Sequence, residues 1–293
     1  MNTNTRTATW TSIGTDVKSA NNNLDMILSE AGLDYTVSSR PVTVEGEILP
    51  NYHAIVRDSD NHVYNIAKKS YHICQNQDAF SIVNEFNDNI KIVKAGEAEN
   101  GMIYLIGEMP EITVLDDVYK LHIILQNSHN AEFALKAAVI PLRIVCENQF
   151  NVAFSEAPNT FTVKHTSIIN DRVAEMNHIL SLTVHYARTF RLNAESLAAK
   201  SMDFDTFLDA IIPIDSTMTP RRIDNIEHQR TQLITAYNED DNANFRGTAW
   251  GAMNAAMDFA THKPHRGSDE GRFITSILYP DFTRRVHQYL MAV

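Results

Sequence analysis

The hydrophobic rhythm of the chain changes once, near Lys164, and that change limits the fold more than any single motif. Before it, apolar residues come in short runs such as Tyr52–Arg57, Val63–Ala67, Met102–Ile106 and Val118–Leu125, the spacing expected of strands. The polar groups Asp58–Asn61 and Glu97–Gly101 separate neighbouring runs and supply hairpin turn chemistry. Beyond Lys164 the apolar residues Ile169, Val173, Met176, Leu180, Val184, Ala187 and Phe190 fall on one helical stripe. The pattern predicts an α+β protein: a mainly antiparallel sheet between Tyr35 and His165, one amphipathic helix near Asp78–Phe86 crossing it, then a helical C-terminal portion. The mainly β portion, 1–165, and the helical portion, 166–293, are expected to pack as one continuous unit.

Within the helical portion, Thr219 before Pro220 is a start signal, because a hydroxyl can cap the first turn and proline presets φ at the first helical position. That helix is expected to end near Tyr237, before the acidic break Glu239–Asn242. The next carries the small-residue stretch Thr248-Ala249-Trp250-Gly251-Ala252, and Pro264 stops it. Ser268 and Pro280 punctuate the remainder.

No apolar run approaches the ~18 residues of a membrane span, and the polar start Met1–Thr5 is not a signal peptide. Residence in the cytoplasm, with no membrane partner, is the expectation. Cys74 and Cys146 lie in apolar segments and read as buried free thiols. Arg143 and Asn148 flank Cys146, yet Ile144-Val145 beside it favour burial over a reactive thiolate.

The net charge of −11 argues against indiscriminate coating of duplex DNA. Cations nevertheless cluster in the helical portion, at Arg188 and Arg191, at Arg221-Arg222, and at Lys263 and Arg266. Such groups can follow a phosphate backbone, with Trp250 or Tyr186 stacking on unpaired bases if exposed. Phosphate-binding glycine loops, serine-nucleophile elbows and His-Glu-x-x-His helices are absent. Asp258 and His262, four residues apart on one helix, could form an oriented imidazole pair. His165 and His178, with Asp258, are the alternative metal-ligand set, although no ligand spacing supports them.

Several stretches together resemble a known family: Trp10 with Gly14; Ala31-Gly32-Leu33-Asp34-Tyr35; Tyr71-His72-Ile73-Cys74-Gln75-Asn76 leading to Ala79-Phe80; Asn127-Ser128-His129; Arg143 to Asn148; Lys164-His165-Thr166; and Thr248 to Ala252 with His262 and Pro264. In this order they resemble domain-of-unknown-function family 932, the phage/plasmid-like proteins. The resemblance implies a mobile-element protein inside a bacterial host, and it brings no catalytic residue or cofactor. Where it leads one to expect Asp-Gly after His129, this chain has Asn130-Ala131. A Cβ resists positive φ, so no tight, phosphate-approaching turn is expected there. The order of sheet, helix and further helices is also that of Rad52-like strand-annealing proteins, an analogy of layout alone. Three functions follow as expectations: single-stranded nucleic-acid binding in replication or recombination without catalysis; a module contacting a host or phage protein, as a defence inhibitor or assembly factor; and a metal-dependent enzyme. Homo-oligomerisation fits the first two.

Overall fold

The structure, a computed structural model, describes residues 13–98, 101–143, 160–166, 169, 178–215, 217–262 and 281–293, without the side chains of Arg143, residues 178–185 and His262. In chain order the elements are β1 (Thr15–Asp16), α1 (Leu24–Glu30), β2 (Val37–Val44), β3 (Glu47–Arg57), β4 (Val63–Lys68), α2 (Asn76–Ala79), β5 (Lys91–Glu97), β6 (Met102–Val114), β7 (Asp117–Ser128), β8 (Leu135–Arg143) and β9 (Thr160–Val163). The helices α3 (His178–Ala198), α4 (Phe204–Ile211), α5 (Pro220–Tyr237), α6 (Ala249–His262) and α7 (Asp281–Ala292) complete it.

The α+β class and the antiparallel pairing are as expected, but the strands form two sheets. One has three strands in the order β2-β3-β4; the other has six, β1-β5-β6-β7-β8-β9, and reaches back to Thr15–Asp16. The expected crossing helix is absent as such. In its place the one-turn α2 is followed by a 3₁₀ turn over Ser81–Glu85, and Phe80 between them has φ −105° and a fully buried ring. Of the expected apolar face of Ala79, Ile82, Val83 and Phe86, the first three are buried and Phe86 is half-buried against the main core.

The hairpin turns have a local cause. Between β2 and β3, Glu45 and Gly46 have φ of +50° and +89°, so Val44 faces Glu47 across a two-residue turn. Between β6 and β7, Leu115 and Asp116 take φ of +51° and +67° with no glycine at all. Two consecutive positive φ values suit the right-handed twist of the flanking strands, and here the long β6–β7 ladder over-determines the strained pair.

The six-stranded sheet is buried on both faces. Ile103, Leu105, Leu121, Ile123 and Leu125 point into the main core, while Tyr104, Ile106 and Ile124 point into a second cluster with Val93, Ala138 and Ile140. This is why β6 and β7 read as near-continuous apolar runs. The main core also takes Tyr186, Phe190, Trp250, Val286 and Leu290 from the helices, so one apolar interior joins sheet and helical portion.

Helix α6 explains the small-residue stretch. It packs against α5, α7 and α3, and its Gly251, Ala252, Ala255 and Ala256 are buried. A Cβ added at Gly251 would lie 2.1 Å from the Phe245 carbonyl oxygen. Asn242 Nδ2 donates to the Gly251 and Tyr237 carbonyls at 3.1 Å each, holding the 3₁₀ turn Asp240–Phe245 against α6. The stretch is a close-packing surface.

Candidate functional site

The helical cations come first, because the sequence singles them out. Arg188 and Arg191 are exposed on adjacent turns of α3, and Arg221 and Arg222 are exposed in the first turn of α5. Both helices pack on α6. None of the four forms an ion pair with a described carboxylate, although Asp215 lies close enough to Arg222 to feel its charge. Four other described arginines are committed to carboxylates, Arg40 to Asp58, Arg57 to Asp60 and Glu97, Arg230 to Asp209, and Arg284 to Asp281, while Arg246 donates to the Asn238 and Glu239 carbonyls and the exposed Arg285 lies over the Phe282 ring. Lys263 and Arg266 lie outside the described residues.

The stacking expectation needs correction. Trp250 is 2% exposed and Tyr186 0%. Phe190 lies between them, 6.4 Å from the Tyr186 ring in a parallel stack and 6.0 Å from Trp250 edge-on. The large rings are worth more in the core than on the surface, so neither is available to a base. Asp258 sits one turn before His262 on α6, half-buried; the His262 side chain lies outside the described set. His165 belongs to the sheet half and Asp258 to α6, and the His178 side chain is not among those described. Among the described residues, no three His, Cys, Asp or Glu side chains could share a metal ion. Cys74 is buried, and burial first, then the Asp78 charge, pushes its thiol up to about 12. It lies in the extended segment between β4 and α2, not in a strand. Cys146 and Asn148 fall outside the described residues.

A second polar centre, which sequence reading missed, lies where the two sheets meet. Arg57, from the end of β3, holds Asp60 in a fork at 3.0 and 2.9 Å and reaches Glu97 of β5 at 3.1 Å. Its guanidinium lies 5.0 Å from the Tyr35 ring centre and 5.6 Å from that of Tyr64. The Tyr64 hydroxyl donates to Tyr35 at 2.9 Å, and Tyr35 donates to Glu97 at 3.1 Å. Beneath the rings, His129 donates from Nε2 to Asn76 Oδ1 at 3.1 Å. Asn76 donates to the Leu33 carbonyl at 3.0 Å, and Asn127 donates to the Cys74 carbonyl at 3.0 Å. Gln75 bonds both backbone groups of Val37, at 2.9 and 3.0 Å. Tyr71 donates to the Ser128 carbonyl at 2.8 Å while stacking on His165 at 4.8 Å, and His165 Nδ1 donates to the His72 carbonyl at 3.1 Å.

Beside the charged Arg57, Asp60 and Glu97, burial keeps the titratable rings of this junction neutral. Burial, assisted by the His165 and Arg57 charges, lowers His129 to about 3. Burial raises Tyr35 to about 12 and drives Tyr64 and Tyr71 further up. None of these groups titrates near pH 7, where general acid–base work needs its players. His129 Nδ1, Asn127 Oδ1 and His165 Nε2 are buried without a hydrogen-bond donor or acceptor. The arrangement fastens one sheet to the other.

The chain matches, over residues 63–288, the family model described as Domain of unknown function (DUF932), well over half its length. The chain belongs to the DUF932 family. Neither curated proteins nor solved structures give a match. Four of the stretches that carry the family resemblance, Ala31–Tyr35, Tyr71–Asn76, Asn127–His129 and Lys164–Thr166, converge at the sheet junction. Their legible signal was amides and imidazoles embedded in apolar segments, where a buried polar group needs a partner. In this DUF932 chain the loop after His129 also departs from expectation: Ala131 adopts φ +61°. The loop is held by the Ser128 hydroxyl on Asn130 Oδ1, by Glu132 N on the same oxygen at 2.9 Å, and by Asn65 Nδ2 on the Asn130 carbonyl. These bonds impose the left-handed turn despite the Cβ, at a cost of about 1–2 kcal/mol. No described helix is long and apolar enough to cross a membrane.

Proposed function

We propose that the protein is a phage- or plasmid-type accessory protein that binds single-stranded nucleic acid through its phosphates, without catalysis, during replication or recombination. One observation supports this reading above others: among the described residues Arg188, Arg191, Arg221 and Arg222 are exposed and form no ion pair in a molecule with a net charge of −11, while Arg40, Arg57, Arg230 and Arg284 are bound to carboxylates, Arg246 to backbone carbonyls, and Arg285 lies over the Phe282 ring. Holding guanidinium groups apart from abundant carboxylates leaves them available to an anionic ligand. Lys263 and Arg266, which follow α6 in sequence, are the remaining cations of this proposal. With Trp250 and Tyr186 buried, binding is phosphate-dominated and indifferent to base sequence. The acidic remainder repels duplex DNA.

The test is fluorescence anisotropy with a labelled oligo-dT across a salt series. Four phosphate contacts on a single strand give a log K against log salt slope of about −3. Arg188→Ala/Arg191→Ala and Arg221→Ala/Arg222→Ala should each flatten it by about 1.4. No binding at low salt, or affinity insensitive to salt, removes the proposal.

A further inference from the structure

The three-stranded sheet, 37–68, is inserted between α1 and α2, and among the described residues it gives no side chain to either of the two large apolar clusters. Its buried apolar residues are Val37, Ile55 and Ala67, which form a third cluster with Tyr35, Tyr64, Tyr71 and Ile73. The ties across the junction are polar: Gln75 on Val37, Arg57 on Glu97, and Asn65 on the Asn130 carbonyl. Lifting this sheet away leaves both large clusters whole, so it can open at a lower cost than the rest of the fold.

The junction encloses imidazoles. His129 meets the Tyr35 and Tyr64 rings at 6.2 and 5.5 Å, His165 stacks on Tyr71, and His53 faces Ala67 on the inner side of β3; all three are buried. Hydrogen bonding fixes two tautomers. Asn76 Nδ2 is spent on the Leu33 carbonyl, so Asn76 Oδ1 accepts from His129 Nε2; the His72 carbonyl likewise accepts from His165 Nδ1. His129 Nδ1 and His165 Nε2 are thus bare, basic lone pairs, buried without a donor, and His53 Nε2 is also buried without a partner. A proton added there is a charge in a place prepared for none. The groups that face His129 are the Tyr35 and Tyr64 rings, His165 and the Arg57 cation; Glu97 is taken by Arg57 and Tyr35, and Glu132 by Asn130. Tyr71 and His72 face His165, with Cys74 beside Tyr71, and His72 and Lys69 face His53.

We propose that the three-stranded sheet is an acid-released unit: proton uptake at His129 and His165, aided by His53, undocks 37–68 from the six-stranded sheet while the two large clusters stay folded. Burial depresses all three imidazoles in the docked state, His129 to about 3, and undocked rings return to about 6.5. Docking is therefore at full strength above about pH 6.5 and weakens as the pH falls below it, His129 by itself multiplying the opening constant about tenfold per pH unit. The device is independent of the nucleic-acid reading and uses none of the helical arginines.

Hydrogen exchange read by mass spectrometry on the whole chain, from pH 7 to 4.5 and corrected for intrinsic exchange rates, tests it. Peptides from 37–68 are expected to open more readily than those from 102–128 at every pH, with an opening constant that rises at least tenfold per pH unit below 6. His129→Gln should remove about a factor of ten per pH unit from that rise, and His165→Gln should flatten it further. His122→Gln is the control. His122 lies two residues from Ile124 on the face of the second cluster, so its loss should flatten the response of 102–128 and leave that of 37–68 unchanged. The wild-type comparison decides even where a variant does not fold. One shared opening for both sheets, an opening of 37–68 that ignores pH, a slope that neither junction variant changes, or one that His122→Gln changes equally overturns the proposal.

Discussion

His129 shows what a single residue can do to the whole stability profile. Fully buried, with Nε2 spent on Asn76, it stays neutral to about pH 3. His122, also buried, does so to about pH 4 through desolvation, against the raising influence of Glu108. In the unfolded chain both take up a proton near pH 6.5. The folded-state pKa is depressed, so the stabilisation is present above about pH 6.5 and is lost as pH falls toward the folded values. Each histidine contributes a slope of about 1.4 kcal/mol per pH unit in that window. Urea unfolding at pH 6.5, 5.5 and 4.5 should show the decline, and His129→Gln should remove about one histidine's share of the slope whatever it does to absolute stability. A midpoint constant from pH 6.5 to 4.5 would contradict this account. Ala131 makes a complementary point: its positive φ was not readable from residue type, because side-chain bonds from Ser128, Asn130 and Asn65 decide it.

At the scale of elements, the helix starts separate what a sequence pattern promises from what geometry delivers. Helix α5 begins and ends where Thr219-Pro220 and Tyr237 predict, yet the Thr219 side chain makes no capping hydrogen bond. Proline at the first position, with its preset φ, sets that boundary. Helix α4, by contrast, has Asp203 accepting from the Thr206 amide at 2.8 Å and from its hydroxyl at 2.7 Å. Asp203→Ala should therefore lower the urea midpoint measurably, while Thr219→Ala should leave it nearly unchanged. Equal losses from the two would show that the cap geometry is misread. The expected crossing helix belongs to the same scale: the periodicity of Ala79, Ile82 and Val83 marked a buried face correctly, but periodicity cannot distinguish an α-helix from an α turn joined to a 3₁₀ turn.

For the whole molecule, the shared core is the decisive feature. Phe190 of α3 meets Tyr119 of β7 edge-on at 5.2 Å and Trp250 of α6 at 6.0 Å, so it joins sheet to helices. Phe190→Ala should cost about 3–5 kcal/mol and lower the strand and helix signals together in far-ultraviolet circular dichroism. Two separated transitions would mean that the halves fold independently. The sequence by itself determined the class of fold, the antiparallel strands, the ends of α5 and the burial of Cys74, because these follow from local periodicity, turn chemistry and hydrophobicity. Only the tertiary structure decided that strands split into two sheets, that Trp250 and Tyr186 lie inside, and that four distant polar stretches meet at one junction. Those outcomes depend on which faces pack together, and contacts between residues a hundred positions apart leave no local period to read.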